Sequence, residues 1–235
     1  MSKKMMAMPR FFATTAVVVL LGSQAGISYA AESAAPPAMP PVTAPPAGRY
    51  QLDKSHASLV FRVSHLGFST YTTRFSRFDA ELAFDPGNIP ASKVMTTIDA
   101  SSLEMDAAPA VCLDIVKGPK MLDTAKFPKI VFRSEKVRMT GAKSMEITGT
   151  LELHGVTRPV VLSATFNGGY GGIPNMDPHA RVGFSARGSL KRSDFGIAFG
   201  VPAPGTTMGV GDLIDISIEA EFTGPPLATP AGESH

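Results

Sequence analysis

The feature that most limits how this chain can fold is a period-two alternation of apolar and polar residues, repeated along most of its length. Leu59, Phe61, Val63 and His65 share one face of an extended segment, with Ser58, Val60, Arg62 and Ser64 on the other. Successive side chains of a strand point to opposite faces, so this pattern makes a strand with one face against a core. Phe78, Ala80, Leu82 and Phe84 repeat it, and Tyr71, Thr73 and Phe75 alternate just upstream in the opposite phase. That phase slip predicts a bulge or bend, which helps a sheet curl. Further alternating runs are Val94 to Ile98, Ile130 to Ser134, Met145 to Leu153, Val160 to Phe166, Val182 to Leu190 and Ile214 to Phe222. Turn-forming residues separate them: Asp85-Pro86-Gly87-Asn88, His154-Gly155, Asn167-Gly168-Gly169, and Pro202 to Gly205. Roughly eight such segments joined by short connections describe a β-sandwich or an up-and-down barrel.

The two ends do not share this grammar. Lys3, Lys4 and Arg10 precede an apolar stretch from Phe11 to Leu21, and Ser28-Tyr29-Ala30 offers small residues for cleavage after Ala30. This order is that of an export signal, and the apolar stretch falls well short of the roughly 20 residues a spanning helix needs. Residues 31–48 carry paired prolines among alanines and form an extended spacer. The expected organisation is a signal peptide at 1–30, a Pro/Ala-rich linker at 31–48, one domain at 49–223 and a flexible tail at 224–235. Loss of Lys3, Lys4 and Arg10 with the signal changes the net charge from +2 to −1. No basic stripe remains, so nucleic acid is not an expected partner. The single cysteine, Cys112, excludes an intramolecular disulfide, and the domain must be held by packing.

One stretch departs from strand periodicity. Val111, Cys112 and Ile115 fall at helical spacing between Asp106, a candidate cap, and Gly118-Pro119, a stop. A short helical insert near residues 106–122 would close one end of a barrel, with Cys112 as a small buried hydrophobe on its apolar stripe. Gly149 and Gly188 interrupt strands and mark either corners or room for a ligand.

Catalytic groupings are not legible. His56, His65, His154, His179 and His235 form no compact metal-ligand spacing. Gly183-Phe184-Ser185-Ala186-Arg187 fails the nucleophile-elbow pattern at its last position. Gly168-Gly169-Tyr170-Gly171-Gly172 lacks the lysine and helix of a phosphate loop. The expectation is a protein that is not an enzyme, with no metal and no cofactor; convergence of His56, His65 and His154 on one cleft would revive a hydrolase reading.

Several segments, in order, carry a family resemblance. They are Tyr50-Gln51-Leu52-Asp53 with His56, Phe61 to Ser69, Arg74-Phe75-Ser76-Arg77-Phe78, Asp123 to Ile130, Gly149 to Val160, Lys191 to Ile197, and Val210-Gly211-Asp212. Across residues 49–223 the chain resembles the YceI-like, polyisoprenoid-binding proteins. The resemblance implies an all-β, extended, lipocalin-like antiparallel barrel of about eight strands, exported to the periplasm, with a lengthwise apolar channel for a polyprenyl or isoprenoid-quinone-like lipid. The family's helical insert often carries Arg-Asp-x-His-Leu followed by Phe-Phe. Here Cys112 to Val116 and Met121-Leu122 stand in its place, which puts the head-group preference in question.

The expected lining of such a channel is Phe61, Val63, Phe75, Phe78, Ile98, Phe132, Leu151, Leu153, Phe166, Phe184 and Ile216, with His65 as a polar candidate at a strand end. A barrel of this size either fills itself or encloses one ligand, and the resemblance selects the second. The expected role is binding, sequestration or transport of a long isoprenoid lipid, which leaves open transient membrane contact and a homodimer. The rival is a non-catalytic envelope-interaction or stress-related structural module with a filled β core.

Overall fold

The computed structural model describes residues 43–106 and 108–227. The expected signal segment, most of the linker and most of the tail lie outside the described residues. The strands are β1 (Gly48–His65), β2 (Ser69–Phe75), β3 (Phe78–Phe84), β4 (Lys93–Asp99), β5 (Leu103–Glu104), β6 (Lys129–Met139), β7 (Ser144–Leu153), β8 (Val156–Tyr170), β9 (His179–Lys191) and β10 (Val210–Pro226), with one helix, α1 (Ala110–Lys117), before β6. All pairings are antiparallel, in the order β10-β9-β8-β7-β6-β4-β3-β1, and β10 pairs back onto β1. Eight strands therefore close a ring. The short β2 and β5 continue that wall: β2 lies on the C-terminal half of β1 and β5 on β2.

The phase slip seen in the sequence falls at Ser76-Arg77, where the chain passes from β2 to β3. Inward positions follow the alternation: Ala80, Leu82 and Phe84 are buried on β3, and Val160, Leu162 and Ala164 on β8. The β7–β8 connection is the two-residue turn His154-Gly155, with φ of 53° and 73°. Two successive positive φ values match the right-handed twist of the strands it joins.

The strand directions define two ends. One holds the β1–β2 turn, α1, the His154-Gly155 turn and the β9–β10 connection. The other holds the β3–β4, β6–β7 and β8–β9 connections and both boundaries of the described chain.

The ring has the eight strands expected, and the bends at Ser76-Arg77 and Ala100–Ser102 set off the short β2 and β5 beside it. The first strand begins at Gly48 and the last runs through Pro226. The structure corrects several expectations. The helix is capped at Pro109 without a side-chain bond, so Asp106 is not its cap. Its inward residues are Leu113 and Val116, whereas Val111 and Ile115 are exposed and Cys112 is half-buried. A one-turn spacing argument cannot say which side of so short a helix meets the barrel. Gly149 and Gly188 make room for neighbours and not for a ligand. A Cβ on Gly149 would lie 2.3 Å from the Arg133 carbonyl and 2.6 Å from the Phe132 ring, and one on Gly188 2.6 Å from Leu162.

Candidate functional site

The inward faces of the ring enclose two apolar cavities arranged along the barrel. The cavity toward the α1 end is about 170 Å³, and Val116, Met121 and Leu122 close it on the helical side. The cavity toward the opposite end is about 100 Å³ and runs between Leu52, Phe84, Val137 and Met145. Leu59, Thr96, Phe132, Leu162 and Ile218 line both, so the two spaces meet at a waist. For scale, a dry cavity of about 150 Å³ holds a benzene molecule. Each space is therefore about one isoprene unit in capacity as the side chains now stand.

Of the residues expected from the sequence, Phe61, Phe75, Ile98, Leu151, Leu153 and Ile216 line the larger cavity. Phe78 and Phe184 line the smaller one, and Phe132 lines both. Three others lie elsewhere. Val63 is buried but touches neither space. Phe166 packs in an aromatic cluster, its ring 6.0 Å from Phe84 and 5.3 Å from Phe184. His65 is exposed at the end of β1, paired across the ladder with Val210 and Ser69, and lines neither cavity. Its face alternation is correct, but the strand outruns the core before reaching it. The sequence reading did not include Leu59, Thr96, Leu162 and Ile218. All four sit on inward phases of recognised strands, so the alternation held the signal.

Both ends are occupied by side chains. Away from α1, Tyr50 is wholly buried and meets Phe84 edge-on at 5.7 Å, and Phe184 meets Phe222 at 6.3 Å. At the α1 end Arg192 is buried at 4% exposure. Its guanidinium donates to the carbonyls of Gly211, Ile197, Phe199 and Val210 at 2.8 to 2.9 Å. A buried cation needs such saturation, and here it ties the β9–β10 connection across the barrel.

The histidines have separate neighbours. His154 contacts the Phe195 carbonyl through Nδ1 at 3.2 Å and packs on Phe127. His56 contacts Asp53 at 3.0 Å. Asp53 also accepts from the Ser55 amide at 3.0 Å and from Arg181 at 2.5 Å. Hydrogen bonds first from His56 and then from Arg181 hold the Asp53 carboxyl down to about 2, and the same contact raises the His56 pKa. Asp53, His56 and Glu221 place ligand atoms within 4.8 Å of one another. The Asp53 oxygen that faces His56 is already shared with the Arg181 guanidinium, which opposes a cation there. The cluster works as a clasp on a bulge of β1, where pairing to β10 slips between Leu52 and Ala57.

Residues 50–222 match the YceI-like domain. The chain belongs to the YceI-like family. A UPF0312 protein of Pseudomonas savastanoi pv. phaseolicola is 38% identical over 177 residues, covering 74% of this chain and 86% of the relative. Among solved structures, BcnA of Burkholderia cenocepacia superposes with a TM-score of 0.60 at 20% identity, covering 72% of this chain and 98% of that one. A polyisoprenoid binding domain from Saccharophagus degradans, implicated in plant cell wall breakdown, superposes at 0.54 with 15% identity, covering 75% and 98%. At such identities the two neighbours support the barrel fold alone. For this YceI-like chain the ligand must be argued from the interior.

Proposed function

We propose that this protein binds and carries a long-chain isoprenoid lipid, a polyprenol or an isoprenoid quinone, in its interior after export to the periplasm. The observation that carries this reading is the pair of apolar cavities that adjoin at the waist inside the ring. Membership of the YceI-like family and the neighbouring polyisoprenoid binding domain support the choice of an isoprenoid over other apolar ligands. Burial of apolar surface is worth about 25 cal/mol per Å² against water, so a multi-unit chain gains many kcal/mol on entering the barrel.

The small size of the empty spaces favours a second reading, the structural module with a filled core. Under the lipid reading, Phe61, Phe78, Met121 and Leu122, all only partly buried, turn aside when a chain enters. Solvent extraction of protein purified from its native periplasm, followed by mass spectrometry, should yield a stoichiometric polyisoprenoid. Repeated absence of lipid, together with no uptake of added polyprenols, would leave the filled module as the better account.

A further inference from the structure

The end of the barrel that carries α1 has an apolar outer surface assembled from three connections. Residues 195–211, which lead from the end of β9 into β10, contain no charged side chain, and neither do residues 66–73 of the β1–β2 turn and β2. Surface connections are ordinarily polar. Here Phe199 and Met208 are exposed on the first and Phe68 on the second. Val111 and Ile115 are exposed on α1, whose Leu113 and Val116 pack against the core. The exposed fractions are 81% for Phe68, 66% for Met208, 61% for Val111, 47% for Phe199 and 44% for Ile115.

The three connections touch one another, so these side chains belong to one surface. The Leu66 amide donates to the Gly209 carbonyl at 2.8 Å. Gly67, at a φ of 72°, packs so closely on Thr207 that a Cβ there would lie 2.7 Å from its side chain. These contacts join the β1–β2 turn to the β9–β10 connection. Lys120 Nζ lies 5.2 Å from the centre of the Phe199 ring, and the Tyr71 hydroxyl donates to the Asp106 carbonyl at 3.2 Å. Through them the helical segment is held to the other two. The chain enters and leaves the described structure, at Thr43 and Leu227, at the opposite end of the barrel.

Area, shape and charge say what covers this surface. The five side chains, weighted by their exposed fractions, offer on the order of 500 Å² of apolar area, whereas a stable dimer buries about 800 Å² on each partner. They also stand on three separate connections and not on one continuous face that a second protein could match. A bilayer needs no matching shape, and it receives single apolar side chains at the boundary of head groups and acyl chains. The helical segment carries Lys117, Lys120 and Lys126 against Asp106, Asp114 and Asp123, so attraction to an anionic surface does not drive the contact. We propose that the α1 end of the barrel docks on a phospholipid bilayer, with Phe68, Phe199 and Met208 inserted among the head groups and Val111 and Ile115 against the interface. Docking in this way turns the helical cover of the larger cavity, Val116, Met121 and Leu122, toward the membrane. The docking belongs to the outer surface and holds whatever the interior contains.

The test is flotation of the full mature protein with phosphatidylcholine vesicles that contain no isoprenoid, so its outcome is separate from the lipid reading of the interior. The wild type should float with the vesicles, and added phosphatidylglycerol should change its partitioning by no more than about threefold, since the local charges balance. The Phe68→Ser/Met208→Ser double variant changes two exposed side chains that line neither cavity. It should partition at least about tenfold more weakly. Met176→Ser, at an exposed methionine of the β8–β9 connection at the opposite end, should float as the wild type does. In Phe68→Trp the emission should shift to the blue on vesicles and be quenched by brominated acyl chains, and in Met176→Trp it should not. Wild type that stays behind, binding that requires phosphatidylglycerol, or a double variant that floats as well as the wild type would each overturn the proposal. So would quenching in Met176→Trp but not in Phe68→Trp. A concentration-dependent dimer in sedimentation velocity, lost in the double variant, would assign the surface to a second copy instead.

Discussion

Leu59→Trp separates a hollow barrel from a solid one. Leu59 is 6% exposed and borders both apolar spaces. The substitution adds six heavy atoms, about the bulk of a benzene, which a dry space of about 150 Å³ accepts. The neighbouring cavity is about 170 Å³, so the indole can lie in existing space without pushing the wall. Its stability cost should stay below about 1 kcal/mol, a shift of at most a few degrees for a domain of this size. In a filled core the same change is overpacking at about 1–3 kcal/mol, or roughly 2–12 °C in Tm. Calorimetry reads the first quantity, and uptake of a polyprenol by native mass spectrometry reads the second. The expected outcome is a near-wild-type Tm with lipid uptake reduced at least tenfold, because the ring occupies the junction that the chain must cross. The chain has no other tryptophan, so a blue-shifted emission would report the indole's apolar surroundings directly. A large fall in Tm, or unchanged uptake by a stable variant, would refute the reasoning.

Two further outcomes follow from the polar groups. The Asp53 carboxyl is held near 2 in the folded state against an ordinary value of 3.8. Its depressed value stabilises the fold above about pH 4, and that contribution disappears as pH falls through 2. Urea unfolding should therefore lose about 1–2 kcal/mol between pH 4 and pH 2 that Asp53→Asn does not lose, after allowance for solvent screening; parallel pH curves for the two proteins would refute the clasp. His56 acts in the opposite sense, stabilising most below its ordinary value of 6.5 and losing that effect as pH rises through its raised folded value. Arg192→Met strips the donors from four carbonyls and should cost about 3 kcal/mol or more. Hydrogen exchange should then accelerate across residues 197–211, and unchanged protection there would show that the tie is not what holds the β9–β10 connection.

Much of this architecture was legible because one-faced burial writes itself into a strand at every second residue. Leu82 and Phe84, or Leu151 and Leu153, could be placed inward without any structure. The bend at Ser76-Arg77 showed itself as a change of phase between Phe75 and Phe78. Closure did not, because it depends on β10 finding β1 across more than 150 residues, a pairing with no local signature. The helix was located but turned the wrong way: eight residues give two turns, too few for the periodicity to decide between Val111 with Ile115 and Leu113 with Val116. His65 was misplaced by extending a correct face beyond the end of the core.

Under the proposed lipid reading, the energetics give tail and head group different work. An apolar chain gains a great deal on moving from water into the barrel but almost nothing on moving there from a bilayer, where it is already dry. Under the proposed function, loading and unloading at a membrane are then set by concentration, as suits a carrier and not a trap. An apolar wall also discriminates poorly: one methylene more or less is worth about 1–3 kcal/mol at best, and flexible side chains such as Met121 soften even that. A barrel of this kind accepts a range of chain lengths. On the proposed lipid reading, selection among lipids comes from groups that lose water unless they are properly paired. On that reading the head group, not the tail, is where one isoprenoid is told from another.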